Sequence, residues 1–248
     1  MTISKPAPVW LSEHDVRALV VAARKAKTDL LAIIADVDAR VAKRRDELNR
    51  SLSDLGTAAR LQAIDAAAST LKITLKNETN PRRVELLRAI ARMNAQAQAA
   101  VEFWENPVHV VLRQTIASAK RSTVADNLAA AGPAELKAFA SLAVATGDVD
   151  LGSAVISKLH AITPSTARPV SPRYVADALV GELSRELHGG LLEVDSIMTE
   201  AALANRLMEQ GRSGSAAGIG SVEAALKRRR LEAVGGKRIE GEGEGDEA

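Results

Sequence analysis

Apolar positions in the first part of the chain recur at alternating steps of four and three residues. The series Val16, Val20, Ala23, Lys27, Leu30, Ile34, Val37, Val41, Arg44, Leu48, Ser51 and Leu55 keeps that rhythm with no Pro or Gly inside it. A three–four period marks a helix that buries one stripe against another helix. Ser12, with Asp15 three residues on, supplies an N-cap and an acid for the first turn. The pattern predicts one helix of roughly 40 residues and roughly 60 Å, which only another long helix can cover.

After Gly56 and Thr57 the rhythm resumes with Leu61, Ile64, Ala68, Leu71 and Leu75. Asn80 and Pro81 then read as N-cap and first residue of a third helix, because proline suits a helix start and breaks a helix interior. That helix carries Leu86, Ile90, Met93, Ala97, Ala100 and Trp104 and stops before Pro107. Residues 12–106 are thus expected to form a long antiparallel hairpin, a coiled-coil-like bundle. An extended arm over 1–11 precedes it, and Trp10 is expected to staple onto a helix or a neighbour.

The remainder breaks more often. Residues 107–162 predict a short helical bundle: one helix from Pro107 toward Ala131, then an αα-hairpin turning at Gly147 and Asp148. Residues 163–172 hold three prolines and read as a linker. Residues 173–210 predict a helical hairpin split at Gly189 and Gly190. Residues 211–248 read as a flexible segment with a basic helix near 221–234 and an acidic Gly/Glu tail. The expected fold class is all-α.

Composition supports that class. Aromatic residues make up only 2% of the chain: Trp10, Phe103, Trp104, Phe139 and Tyr174. Ala and Leu, strong helix formers, supply most of the 46% hydrophobic content instead, and a β-rich fold would draw on aromatic and β-branched residues. The chain has no cysteine, which excludes disulfides, thiol catalysis and Cys-ligated metals. The first fifteen residues contain no apolar core of a signal peptide. No run approaches the roughly 18 consecutive apolar residues of a membrane span. The expectation is a protein of the cytoplasm or of a virion, with no membrane partner.

Net charge is +2, so clusters carry more information than the total. Lys227, Arg228, Arg229 and Arg230 form the densest one, a candidate contact for nucleic acid or an acidic partner, weighed against a solvated helix end. Lys43–Arg44–Arg45 and Arg82–Arg83 read as solvated positions. Lys27 and Arg44 interrupt the apolar seam and are expected to form polar layers facing an acid on a neighbouring helix. His14, His109, His160 and His188 are scattered, and no Glu-x-x-His pair of the kind that builds di-metal bundles occurs. Asp148 and Asp150 sit at a helix start, where capping explains them. The glycines at 211, 214, 218 and 220 lack the strand and the Lys of a phosphate loop.

No catalytic, cofactor-binding or metal-binding residue is therefore expected. The chemistry points to a non-enzymatic structural or assembly protein, a helical scaffold or adaptor in a larger oligomer, for which a phage particle is one setting. The candidate oligomer seam is Val16, Val20, Leu30, Ile34, Val37, Val41 and Leu48. The partners expected are further copies of the chain or other protein subunits. The alternative is a nucleic-acid-associated helical protein using the basic helix at 227–230.

Overall fold

A computed structural model describes residues 9–163 and 165–211. Among these there are seven α-helices, one 3-10 turn at Ser165–Ala167, and no strand. The helices are α1 (Glu13–Ser51), α2 (Thr57–Glu105), α3 (Pro107–Gln114), α4 (Ala119–Asn127), α5 (Pro133–Thr146), α6 (Val149–Ala161) and α7 (Pro172–Glu209). The all-α expectation holds.

Contacts divide the chain into two compact units, Met1–Ala22 with Arg92–Asp195, and Ala23–Ala91 with Ser196–Ala248. Neither is a continuous stretch, because α1, α2 and α7 each contribute residues to both.

In the unit built on residues 92–195, α1 starts as its sequence implies. Ser12 Oγ accepts from Asp15 N at 3.2 Å, and the Asp15 carboxylate accepts from Ser12 N at 3.3 Å. The preceding residues lie against the last turns of α2. Val9 N donates to Ala99 O at 2.8 Å, and Trp104 Nε1 donates to Leu11 O at 3.3 Å. Trp10 stacks on Trp104 with ring centroids 5.1 Å apart and meets Phe103 edge-on at 6.0 Å. Three of the five aromatic residues thus form one cluster, and Trp104 is fully buried in it. Ser184 Oγ of α7 donates to Trp104 O, which places the first third of α7 beside the end of α2.

The chain between those two helix ends is an insert of four short helices. α6 is its centre and packs against α3, α4 and α5. Gly152, Ser153, Ala154, Val155, Ile156 and Leu159 are all buried, as for a helix with neighbours on every side. Gly152 is glycine for room: a Cβ there would lie 2.2 Å from Leu179 Cδ1 on α7. The one polar pair in this core is satisfied, with Thr115 Oγ1 and Ser153 Oγ 2.6 Å apart. Asp148 caps α6 through Leu151 N at 3.1 Å, and Gly147 closes α5 at φ +64°. The single helix expected from Pro107 toward Ala131 is instead two, because Thr115 ends α3 and Ser118 caps a new start by accepting from Arg121 N.

In the other unit the helices pair by register. Asp38 meets Lys72 at 3.8 Å and Arg45 meets Asp65 at 2.9 Å, so α1 and α2 run antiparallel. Lys27 pairs with Glu200 of α7, meeting the expected acid on a neighbour. The core holds Leu30, Ile34, Val37, Ile64, Ala68 and Ile90, with Ile197, Ala201, Ala204 and Met208 from α7.

Two expected breaks are absent. Asn80–Pro81 lies inside α2, and Gly189–Gly190 lies inside α7. Both are overridden by packing. At Gly190 a Cβ would sit 3.2 Å from Val20 Cγ2 of α1, whereas at Gly189 a Cβ would meet nothing within 4 Å. Gly189→Ala is expected to stabilise the protein by about 0.5–1 kcal/mol, the helix-interior cost of glycine. Gly190→Ala gains less or destabilises, because Val20 must yield. Urea midpoints at unchanged m-value report the difference. Equal gains at both positions would show that α1 does not press on Gly190.

Candidate functional site

Pro81 creates the problem that organises this region. It has no N–H for Asn77 O, and its ring crowds that carbonyl. Arg83, two residues on, spans the opened turn. Its Nη2 donates to Lys76 O at 3.1 Å and its Nε to Thr79 Oγ1 at 3.3 Å, while Thr79 Oγ1 itself donates to Leu75 O at 2.8 Å. The same guanidinium reaches α7, donating to Asn205 Oδ1 and, at 2.8 Å, to Glu209 Oε1. Arg83 is 0% exposed, so the whole charge is neutralised and bonded inside the protein.

Two lysines complete the cradle around the last turn of α7. Lys76 Nζ donates to Glu209 O at 3.0 Å and meets Glu209 Oε2 at 2.7 Å. Lys72 Nζ donates to Gly211 O at 2.9 Å. These are the carbonyls that a helix C-terminus leaves without partners, and cations there also oppose the negative end of the helix dipole. Gly211, at φ +74°, takes the left-handed turn that ends the helix. Burial acts to raise the Glu209 carboxyl, but the hydrogen bonds and charges of Lys76 and Arg83 outweigh it and hold the group below the usual carboxylate range. A groove of about 340 Å³ opens beside the cradle, between Ser69, Ile73 and the residues from Met208 to Gly211.

This cradle overturns one expectation. Arg83, expected with Arg82 among the solvated positions, is instead buried. Arg82 is exposed and pairs with Glu85. The signal for Arg83 was periodic: Arg83, Ile90, Ala97 and Trp104 stand seven residues apart, and all four are buried. Nothing local to Lys72, Lys76, Asn205 or Glu209 marks them, because their role depends on where α7 stops.

The candidate oligomer seam falls inside the chain. Val16, Val20, Leu30, Ile34 and Val37 are buried by the protein's own helices, so they offer no face to a second chain. Val41 and Leu48 are only half-buried. Arg44 is exposed and turns to Glu47 on its own helix rather than to a neighbour. Lys227, Arg228, Arg229 and Arg230 lie outside the described residues, as do the acidic tail and residues 1–8 of the arm.

In the other unit, a cleft of about 510 Å³ is lined by Glu102, Phe103, Glu105, Asn106, His109 and Arg173. Its two carboxylates outnumber its one guanidinium, and Arg173 pairs with Asp177 on its own helix. Among the described residues, no group of three or more His, Asp or Glu side chains is placed to hold a metal ion. No described helix is long and apolar enough to cross a membrane. No family model, curated protein or solved structure matches the chain.

Arg83→Ala is expected to cost about 3 kcal/mol, because it strands Asn205 and Glu209 beside an unbridged turn. Arg83→Lys recovers little of this, since an ammonium cannot span the same four acceptors. Glu209 sets the pH dependence. Its folded carboxyl lies below its unfolded value of about 4.3, so its contribution is complete above that pH and is lost as pH falls through the folded value. Glu209→Gln should therefore be less stable at neutral pH but lose less on acidification, read from chemical denaturation at stepped pH. A parallel pH dependence in both proteins would remove Glu209 from this role.

Proposed function

We propose that this protein is a non-enzymatic assembly subunit, a helical scaffold or adaptor that joins a larger oligomer, such as a phage particle, through helix faces and its terminal arms. The observation that carries the reading is the outward face of α5. Phe139 is 37% exposed and Leu142 is 50% exposed, and Ala134, Ala138 and Ala145 are exposed beside them. The opposite face, through Leu136, Ala140 and Ala143, is buried within the chain. α5 is therefore apolar on both sides, and only one is covered by its own protein. A helix apolar all round belongs between two neighbours.

This reading moves the interface from the seam of α1, which the chain fills itself, to α5. Glu135 and Lys137 are the only charged residues of the helix, so the face is held by apolar contact rather than ion pairs. Association through it should survive high salt.

Light scattering on a sizing column tests this. The unsubstituted protein is expected to form a defined oligomer at both low and high salt. Phe139→Glu with Leu142→Glu should shift the mass to that of one chain while the helical circular dichroism stays unchanged. A protein that is monomeric at high concentration, alone and with these substitutions alike, would defeat self-assembly through α5.

A further inference from the structure

We propose that the cleft at the end of α2 is a binding site for a small zwitterion, a free basic α-amino acid such as arginine, held between Glu105 and Arg173. The inference does not rest on the assembly reading.

The cleft stands out first by the sign of its helix ends. A helix C-terminus carries partial negative charge and an N-terminus partial positive charge, so acids belong in the first turn and bases in the last. α1 follows this rule at both ends, with Glu13 and Asp15 in its first turn and Arg50 in its last. The last turn of α2 has no base and holds Glu102 and Glu105. The first turn of α7 has no acid and holds Arg173. All three misplaced charges line the same cleft. A local rule broken twice at one place marks a candidate for function, because the arrangement is retained against its cost to stability.

The two signs do not cancel by contact. Arg173 turns to Asp177 on its own helix at 3.6 Å. Glu105 makes no hydrogen bond or ion pair among the described residues. Asn106 caps α3 through Val108 N at 3.1 Å, which fixes the corner where Glu105 ends α2. Opposite charges held apart on the lining of one concavity are both met by a ligand that carries both signs. The volume of about 510 Å³ lies within the range of about 300–1,000 Å³ usual for small-molecule sites.

The remaining lining selects the side chain. Phe103 is half-buried and borders the cleft, and Trp10 meets its ring edge-on at 6.0 Å, which limits its rotation. An aromatic face attracts a guanidinium or ammonium group. The carboxylates of the lining outnumber its guanidinium, so a ligand with one more positive group than negative ones matches it better than a neutral side chain does. Such a ligand sets its α-ammonium at Glu105, its carboxylate at Arg173 and its cationic side chain on Phe103. The planar guanidinium of Arg173 can bond both oxygens of that carboxylate.

Equilibrium dialysis of the full chain against radiolabelled L-arginine at low ionic strength tests this. One equivalent should bind with a dissociation constant on the order of 1 mM, and about 1 M salt should abolish the binding. Agmatine, which lacks the carboxylate, and N-acetyl-arginine, which lacks the ammonium, should each bind about fivefold more weakly, the factor one exposed ion pair can supply. Arg173→Gln should weaken arginine about fivefold and leave agmatine unchanged. Glu105→Gln should weaken arginine by a similar factor and leave N-acetyl-arginine unchanged. It should not lower the thermal midpoint, because the charge removed opposes the α2 dipole. A lowered midpoint would show that Glu105 is kept for stability and would overturn its assignment. No saturable binding below about 10 mM would overturn the site, and L-leucine bound as tightly as arginine would overturn the choice of a basic side chain.

Discussion

The buried guanidinium of Arg83 is the constraint on which the lower half of the helical packing depends. A charge taken out of water must be matched on every side, and this one is matched by four acceptors. Two lie in the turn that Pro81 opens, and two lie on α7. The arrangement couples a local backbone defect to a distant helix end. Proline removes the helical donor to Asn77 O, and beside that gap Arg83 binds Lys76 O and Thr79 Oγ1. The guanidinium needs α7 because the turn alone cannot neutralise it. α7 stops where its last carbonyls fall within reach of Lys72 and Lys76. A hydrophobic contact at the same place would tolerate sliding of one helix past the other by part of a turn. Directional bonds to Asn205 and Glu209 do not, so register is fixed there.

Much of this fold was legible in the order of residues, for reasons that separate cleanly. Ser12 and Asp15 form the expected cap because capping is settled within four residues. The apolar series on α1 marks the buried stripe because helical period and burial are linked by geometry alone. The failures share a cause. Pro81 and Gly189–Gly190 are strong local breakers, and each was overruled by a partner distant in sequence, Arg83 with α7 in one case and α1 in the other. The charge of Arg83 suggests a solvated position, whereas its place in the seven-residue series with Ile90, Ala97 and Trp104 is that of a buried one. The destination of the seam was not legible at all. A heptad stripe shows that a helix has a neighbour, not whether the neighbour belongs to the same chain. Here the chain returns through α7 and fills most of the stripe itself.

The insert between α2 and α7 follows a different rule from the long helices. The end of α2 lies beside α7 at Ser184, whose hydroxyl donates to Trp104 O. The chain inserts α3 to α6 at that corner and builds a separate core around α6, whose small residues let neighbours approach closely. The apolar outer face of α5 belongs to this insert. The long helices carry the packing, and the insert leaves Ile116, Phe139 and Leu142 exposed.

The stacking of Trp10 on Trp104 has an optical consequence. Both indoles of the protein lie within 5.1 Å of each other, so its intrinsic emission originates at one spot where the N-terminal segment lies on α2. Tryptophan fluorescence is therefore a gauge of whether that segment is seated. It carries no signal from the Arg83 cradle. An unfolding curve followed by emission and one followed by helical ellipticity would observe different parts of the same chain, and their coincidence would be a measure of how far the two units melt together.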